Sequence, residues 1–284
     1  MKRLIHFMEI SEKLGLGTVQ FGLPYGISNN AGQTASDEVG KILEIAKAYK
    51  VDVLDSASAY GNSENVLGQN DLSSFKMISK FMPPQDESIS IQLENSLKIL
   101  GLNSLYGYLA HRPGEILKDP GQWKELQKFK ETGKVQKIGF SLNEPEELVH
   151  LLDKNFFPDL VQVPFNYFDR RFETSVKELK NKGCEIHTRS AFLQGLFFMD
   201  PRKLDDFFNE VKPIITNLQD EKPLNGALLK FVLEKSYIDK VIIGVENERQ
   251  LVQNIESLDT ASSLPELERK ISDNILIPSK WPKN

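Results

Sequence analysis

Short apolar runs alternate along this chain with longer stretches whose apolar residues recur every three to four positions. The runs fall near 14–18, 51–55, 76–80, 106–111, 135–141, 159–165, 185–190 and 240–245. They are too short for helices and nearly continuous in Val, Ile, Leu and Phe, as strands covered on both faces are. The intervening stretches have the helical period. From Ser36 to Tyr49, Val39, Ile42, Leu43 and Ala46 form one stripe, with Ser36 placed as an N-cap. Similar stripes run near 88–100, 121–132, 144–153, 170–182, 202–218, 224–235 and 247–257.

Strand–helix alternation implies parallel pairing, because a crossover helix returns the chain in its original direction. Eight such units close most economically into a barrel. The expected fold is therefore an α/β protein with one domain over 1–284, a (β/α)8 TIM barrel with a short C-terminal tail from about 264. The alternative, an open doubly wound sheet, lacks the Gly-rich turn expected after its first strand. Pro83-Pro84 marks a loop, and Pro213 and Pro223 bracket an inserted helix before the last strand. Proline and polar residues near the C-terminus predict a loosely held end.

Composition narrows the function. A net charge of −5 with no basic stripe argues against a nucleic-acid partner. The single cysteine, Cys184, allows no intramolecular disulfide and no cysteine metal cluster, and the histidines have no metal-ligand spacing, so no metal is expected. No apolar segment has the length of a membrane span, and the apolar part of Met1–Phe7 is too short for a signal peptide. The expectation is a cytoplasmic protein with no membrane partner.

Four polar residues break the apolar pattern where strands end. Asp55 closes the second run, Lys80 the third and His111 the fourth, and Tyr60 follows Asp55 by five residues. A carboxylate at the end of a buried strand is costly unless a cation meets it. Singly, each has an ordinary reading: a turn aspartate, a solvated lysine, a half-packed tyrosine. Together, at successive strand ends of a barrel, they form a candidate active site.

This arrangement resembles the Asp-Tyr-Lys-His tetrad of the aldo-keto reductases, and the surrounding segments extend the resemblance over nearly the whole chain. They are Leu14-Gly15-Leu16-Gly17-Thr18, Asp55 to Gly68, Gly139-Phe140-Ser141, Gln162-Val163-Pro164, Arg189 to Leu196 and Ile243-Gly244-Val245-Glu246-Asn247. The resemblance implies reduction of an aldehyde or ketone to an alcohol by NADP(H) or NAD(H). Tyr60 would be the proton donor. A free tyrosine has a pKa of about 10, which a neighbouring ammonium lowers, so Lys80 would tune it, Asp55 would hold Lys80, and His111 would orient the carbonyl oxygen. Gly17, Thr18 and Asp55 would border the cofactor, and Ser141 and Gln162 would hold its carboxamide. Arg189 would lie against the nicotinamide ring where many members carry an aromatic residue. Ser190, Leu193, Gln194 and Gly195 would wrap the pyrophosphate, and Gly244, Glu246, Gln250 and Asn254 would meet the adenosine end.

Two departures stand out. Leu142 replaces the usual Asn beside Ser141. Glu246 and Gln250 stand where NADP-dependent members place phosphate-gripping residues, with Arg249 and Lys240 as nearby cations. The resemblance is to the bacterial branch, which implies a sugar or sugar derivative as the small-molecule carbonyl substrate. Phe21, Leu23, Tyr25, Phe81, Phe165, Tyr167 and Phe192 suit an apolar wall, whereas Arg112 suits a carboxylate or phosphate. Short loops predict an open pocket without a deep lid. His6 and His150 have structural readings, and His187 shares the parity of Arg189 and is expected inside the barrel, hydrogen-bonded. The alternative function is a cofactor-binding regulatory subunit on the same barrel, as the potassium-channel β subunits illustrate.

Overall fold

The structure is a computed structural model that describes residues 11–84 and 87–282. The N-terminal arm with His6 and the extreme C-terminal end lie outside the described residues. Eight parallel strands close a barrel in sequential order: β1 Leu14–Gly17, β2 Val53–Asp55, β3 Lys76–Phe81, β4 Leu105–Ala110, β5 Val135–Ser141, β6 Leu160–Pro164, β7 Glu185–Arg189 and β8 Lys240–Gly244. β8 returns to β1 in parallel, from Leu14 opposite Val241 to Gly17 opposite Gly244. This is the expected (β/α)8 barrel. Among the described residues no helix is long and apolar enough to cross a membrane.

Strand parity divides the core in two. Leu54, Met77, Tyr108, Phe140, Val161 and Ile243 face outward and pack with helix residues such as Ile42, Leu97, Leu126 and Leu151. Val53, Ile78, Leu109, Leu160 and Ile242 form a separate interior cluster. Each interior residue has a polar residue or glycine two positions on: Asp55, Lys80, His111, Gln162 and Gly244. Side chains in a strand repeat every two residues, so this second set is the next interior layer toward the carboxyl ends.

Toward the opposite end, Glu185 accepts hydrogen bonds from Tyr106 Oη at 2.6 Å and from Lys137, and pairs with His187 Nε2 at 2.6 Å. Burial alone would raise the Glu185 pKa, but His187, Lys137 and Tyr106 hold it well below the carboxylate range. His187 is thus the hydrogen-bonded interior histidine expected.

Three local expectations change. Ser36 is the first helical residue of Ser36–Ala48 rather than its cap, which is Ala35. The helix expected over 202–218 is broken into the turns Pro201–Lys203 and Asp206–Phe208 and the helix Lys212–Leu218. Asp200 and Asp205 each accept from a backbone N–H two residues on, starting a new turn each time. Nor are the loops uniformly short. The β7–β8 connection packs Leu196, Phe197, Phe208 and Ile215 against Ile275 and Trp281 of the tail. Within the tail Trp281 Nε1 donates to the Ile275 carbonyl at 2.9 Å, and both side chains pack into this second core.

Candidate active site

At the carboxyl end of the barrel, Lys80 is fully buried and its ammonium has three acceptors. It donates to Asp55 Oδ2 at 2.6 Å, to the Ser56 carbonyl at 2.9 Å and to Tyr60 Oη at 3.3 Å. An ammonium has three donors, so this one is saturated and its direction set. Burial by itself pushes the Lys80 pKa down, but Asp55 and Tyr60 outweigh it and raise it. The phenol oxygen of Tyr60 is an acceptor from Lys80, which leaves its own hydrogen free for a ligand. The His111 ring meets Tyr60 edge-on, 5.6 Å between centroids.

The loop carrying Tyr60 is braced from behind. Ser63 Oγ donates to the Thr18 carbonyl at 2.9 Å, and Thr18 Oγ1 donates to the Asp55 carbonyl at 3.2 Å. Glu64 accepts from Ser79 Oγ at 2.5 Å and from Ser96 Oγ at 3.0 Å, tying helix Ser63–Gly68 to β3 and to helix Ile89–Leu100. Gly22 packs so closely on this loop that a Cβ there would overlap the Tyr60 carbonyl oxygen. Only glycine permits that approach.

Burial, with Lys80, Arg189 and Arg112 nearby, lowers the His111 pKa from its ordinary 6.5 to about 3. The folded protein therefore holds this ring neutral where the unfolded chain takes up a proton. Stability is unaffected above 6.5 and falls as pH drops from 6.5 toward 3, by up to about 1.4 kcal/mol per pH unit. Denaturant unfolding between pH 6 and 4 should show a shallower pH dependence in His111→Gln than in wild type. Equal slopes would mean that His111 is not held neutral.

The site opens into a cavity of about 1250 Å³ along the barrel mouth. Of the residues singled out in the sequence, Gly17, Thr18, Asp55, Tyr60, His111, Ser141, Arg189, Ser190, Gln194, Gly195, Gly244, Glu246, Gln250 and Asn254 all line it. Three do not. Lys80 lies beneath the wall. Gln162 is also behind it, fully buried, and donates from Nε2 to Asp55 Oδ1 at 2.8 Å while its Oε1 has no partner. Leu193 is buried in the second core with Leu196 and Phe197, so its expected place at the cofactor is corrected. Positive φ at Ser190, Leu193, Gln194 and Gly195 turns the chain so that Gln194 and Gly195 face the cavity while Leu193 faces inward.

The expected apolar wall is also corrected. Phe21, Phe81, Phe165 and Tyr167 are buried in the protein core, and of the aromatic candidates only Tyr25 and Phe192 reach the cavity. Lys240 stands at the start of β8, bonded to Asp52 and the Glu12 carbonyl, at the far end of the barrel from Glu246. It cannot assist there.

Gln250 is committed too, accepting from the Glu246 N–H at 2.8 Å through Oε1. Residues missed in the sequence include Gln20, whose buried Oε1 has no partner, Asn143 and Lys222. Asn143 was legible. Leu142 turns outward into the core, so the period of two returns Asn143 to the mouth, where it accepts from Arg189 Nη2 at 2.6 Å. A second Arg189 bond, to the Leu142 carbonyl at 3.0 Å, clamps the guanidinium.

Over residues 13–275 the chain matches the profile of the aldo/keto reductase family. It is 27% identical over 203 residues to the oxidoreductase sirO of Leptosphaeria maculans, covering 66% of this chain and 62% of that protein. The chain thus spans less than two thirds of that relative's length. An aldo-keto reductase from Bacillus halodurans, in its holo form, superposes with a TM-score of 0.69 at 18% identity, covering 89% of this chain and 88% of that one. An aldo-keto reductase from Klebsiella pneumoniae in complex with NADPH gives 0.66 at 20% identity, covering 91% and 93%.

Proposed function

Since the chain belongs to the aldo/keto reductase family, we propose that it is an NAD(P)H-dependent oxidoreductase that reduces an aldehyde or ketone to an alcohol, with Tyr60 as general acid. The observation that carries this reading is the saturated Lys80 ammonium, which joins Asp55 to the Tyr60 hydroxyl and leaves the phenolic hydrogen directed elsewhere. A nicotinamide dinucleotide supplies the hydride that no side chain can. The NADPH complex of the Klebsiella relative supports that cofactor.

Ser141 and Asn143, both on the cavity wall, fit a carboxamide, and Gln162 stands behind them, bonded to Asp55. Ser190, Gln194 and Gly195 fit a pyrophosphate, and Glu246, Gln250 and Asn254 stand at the adenosine end. As charge gathers on the carbonyl oxygen, Tyr60 Oη gives it a proton. Lys80 then stabilises the phenolate that remains, and Asp55 keeps Lys80 charged and aimed. The neutral His111 ring offers an N–H to the same oxygen without yielding its proton. Cofactor oxidation measured across aldehydes, ketones and sugars tests the reading. Turnover of at least one carbonyl is expected, and tight cofactor binding with no turnover on any would favour a binding subunit instead.

The dinucleotide choice depends on Glu246. A carboxylate beside a 2′-phosphate is a like-charge pair, so NADPH preference should be blunted. Glu246→Lys is expected to raise the NADPH-to-NADH affinity ratio by about 3–10-fold, the range for a partly screened charge reversal. Fluorescence titration of both reduced cofactors checks this. An unchanged ratio would remove Glu246 from the ribose.

A further inference from the structure

The charge along the cavity wall is uneven. Its carboxylates are Asp55, Glu246 and Glu256, and the first is already spent on Lys80 while the other two belong to the end reached by β8 and the helix Glu248–Thr260. The end beside His111 carries Arg112 and Arg189, and among the described residues that line the cavity no carboxylate is left for either. Arg189 is held by a backbone carbonyl and an amide oxygen, which are neutral partners. Arg112 is exposed at the end of β4, and among the described residues its guanidinium makes no hydrogen bond or ion pair. It follows β4, three strands round the barrel from β7, after which the Ser190–Gly195 turn comes. A guanidinium on a cavity wall, with no partner among the described residues, is a receptor for an anion.

We infer that the substrate is a carbonyl compound bearing a carboxylate or phosphate group, and that Arg112 binds that group and sets specificity. This rests on the carbonyl-reductase reading above. A guanidinium bound to an oxyanion holds the substrate by charge-assisted hydrogen bonds, so a neutral analogue loses the contact while keeping the reacting carbonyl.

Two pairs of aldehydes that differ in charge test it: succinic semialdehyde against butanal, and glyceraldehyde 3-phosphate against glyceraldehyde. The charged member of at least one pair should have kcat/KM greater by about tenfold or more, and the pair that shows it tells carboxylate from phosphate. In Arg112→Met the ratio should collapse toward one, chiefly through KM, while Arg112→Lys keeps an intermediate value. Ratios near one in wild type for both pairs, or a ratio that Arg112→Met leaves intact, would overturn the inference. If none of the four aldehydes is reduced, the reductase reading is what fails, and binding decides the rest. Saturation-transfer NMR would then compare glycerol 3-phosphate and 4-hydroxybutyrate with glycerol and 1-butanol. Anion-selective binding abolished by Arg112→Met sustains the anion site, and equal binding in wild type and variant overturns it.

Discussion

Tyr60→Phe is expected to lower kcat for a good carbonyl substrate by about 10²–10⁴-fold, the usual worth of a positioned general acid. The change removes one oxygen. Its hydrogen bond from Lys80 is 3.3 Å long, and Lys80 keeps its bonds to Asp55 and Ser56. The Phe ring preserves the edge contact with His111. Stability should therefore shift by no more than about 1 kcal/mol, and cofactor affinity measured by fluorescence should stay near that of wild type. Near-normal turnover in this variant would show that the proton comes from another group.

Lys80→Met should have two large effects at once. It leaves the Asp55 carboxylate buried with Gln162 as its remaining side-chain partner, and such an uncompensated charge costs about 3–5 kcal/mol. Activity should fall with it, because nothing would then stabilise the Tyr60 phenolate. Asp55→Asn should be comparably harmful, by stranding the ammonium. The double variant, Lys80→Met with Asp55→Asn, separates stability from chemistry. Removing both charges ends the desolvation penalty, so denaturant unfolding should recover part of the loss, while turnover should not return. Recovery of both would mean that the pair serves the fold alone.

Much of this was legible because a closed parallel barrel makes sequence parity into spatial position. Val53, Ile78, Leu109, Leu160 and Ile242 share a layer, so the residues two positions on must share the next. Asp55, Lys80 and His111 could be read as neighbours from period and order alone. The broken helix over 202–218 was less legible, since its apolar spacing is helical while the aspartate caps that interrupt it act through local backbone bonds.

The run of strands and helices, and the polar residues that close the strands, are properties of the sequence by itself. Both follow from local periodicity and from the high cost of burying a polar side chain without a role. Only the tertiary structure decided which side chains left the cavity and which stayed. Leu193 and four of the candidate aromatics withdrew into cores, Gln162 moved behind Asp55, and Lys240 went to the far end of the barrel. Those outcomes depend on what each side chain meets across the fold, and it is the fold that sets Arg112 and Glu246, both legible as candidates, on one cavity wall.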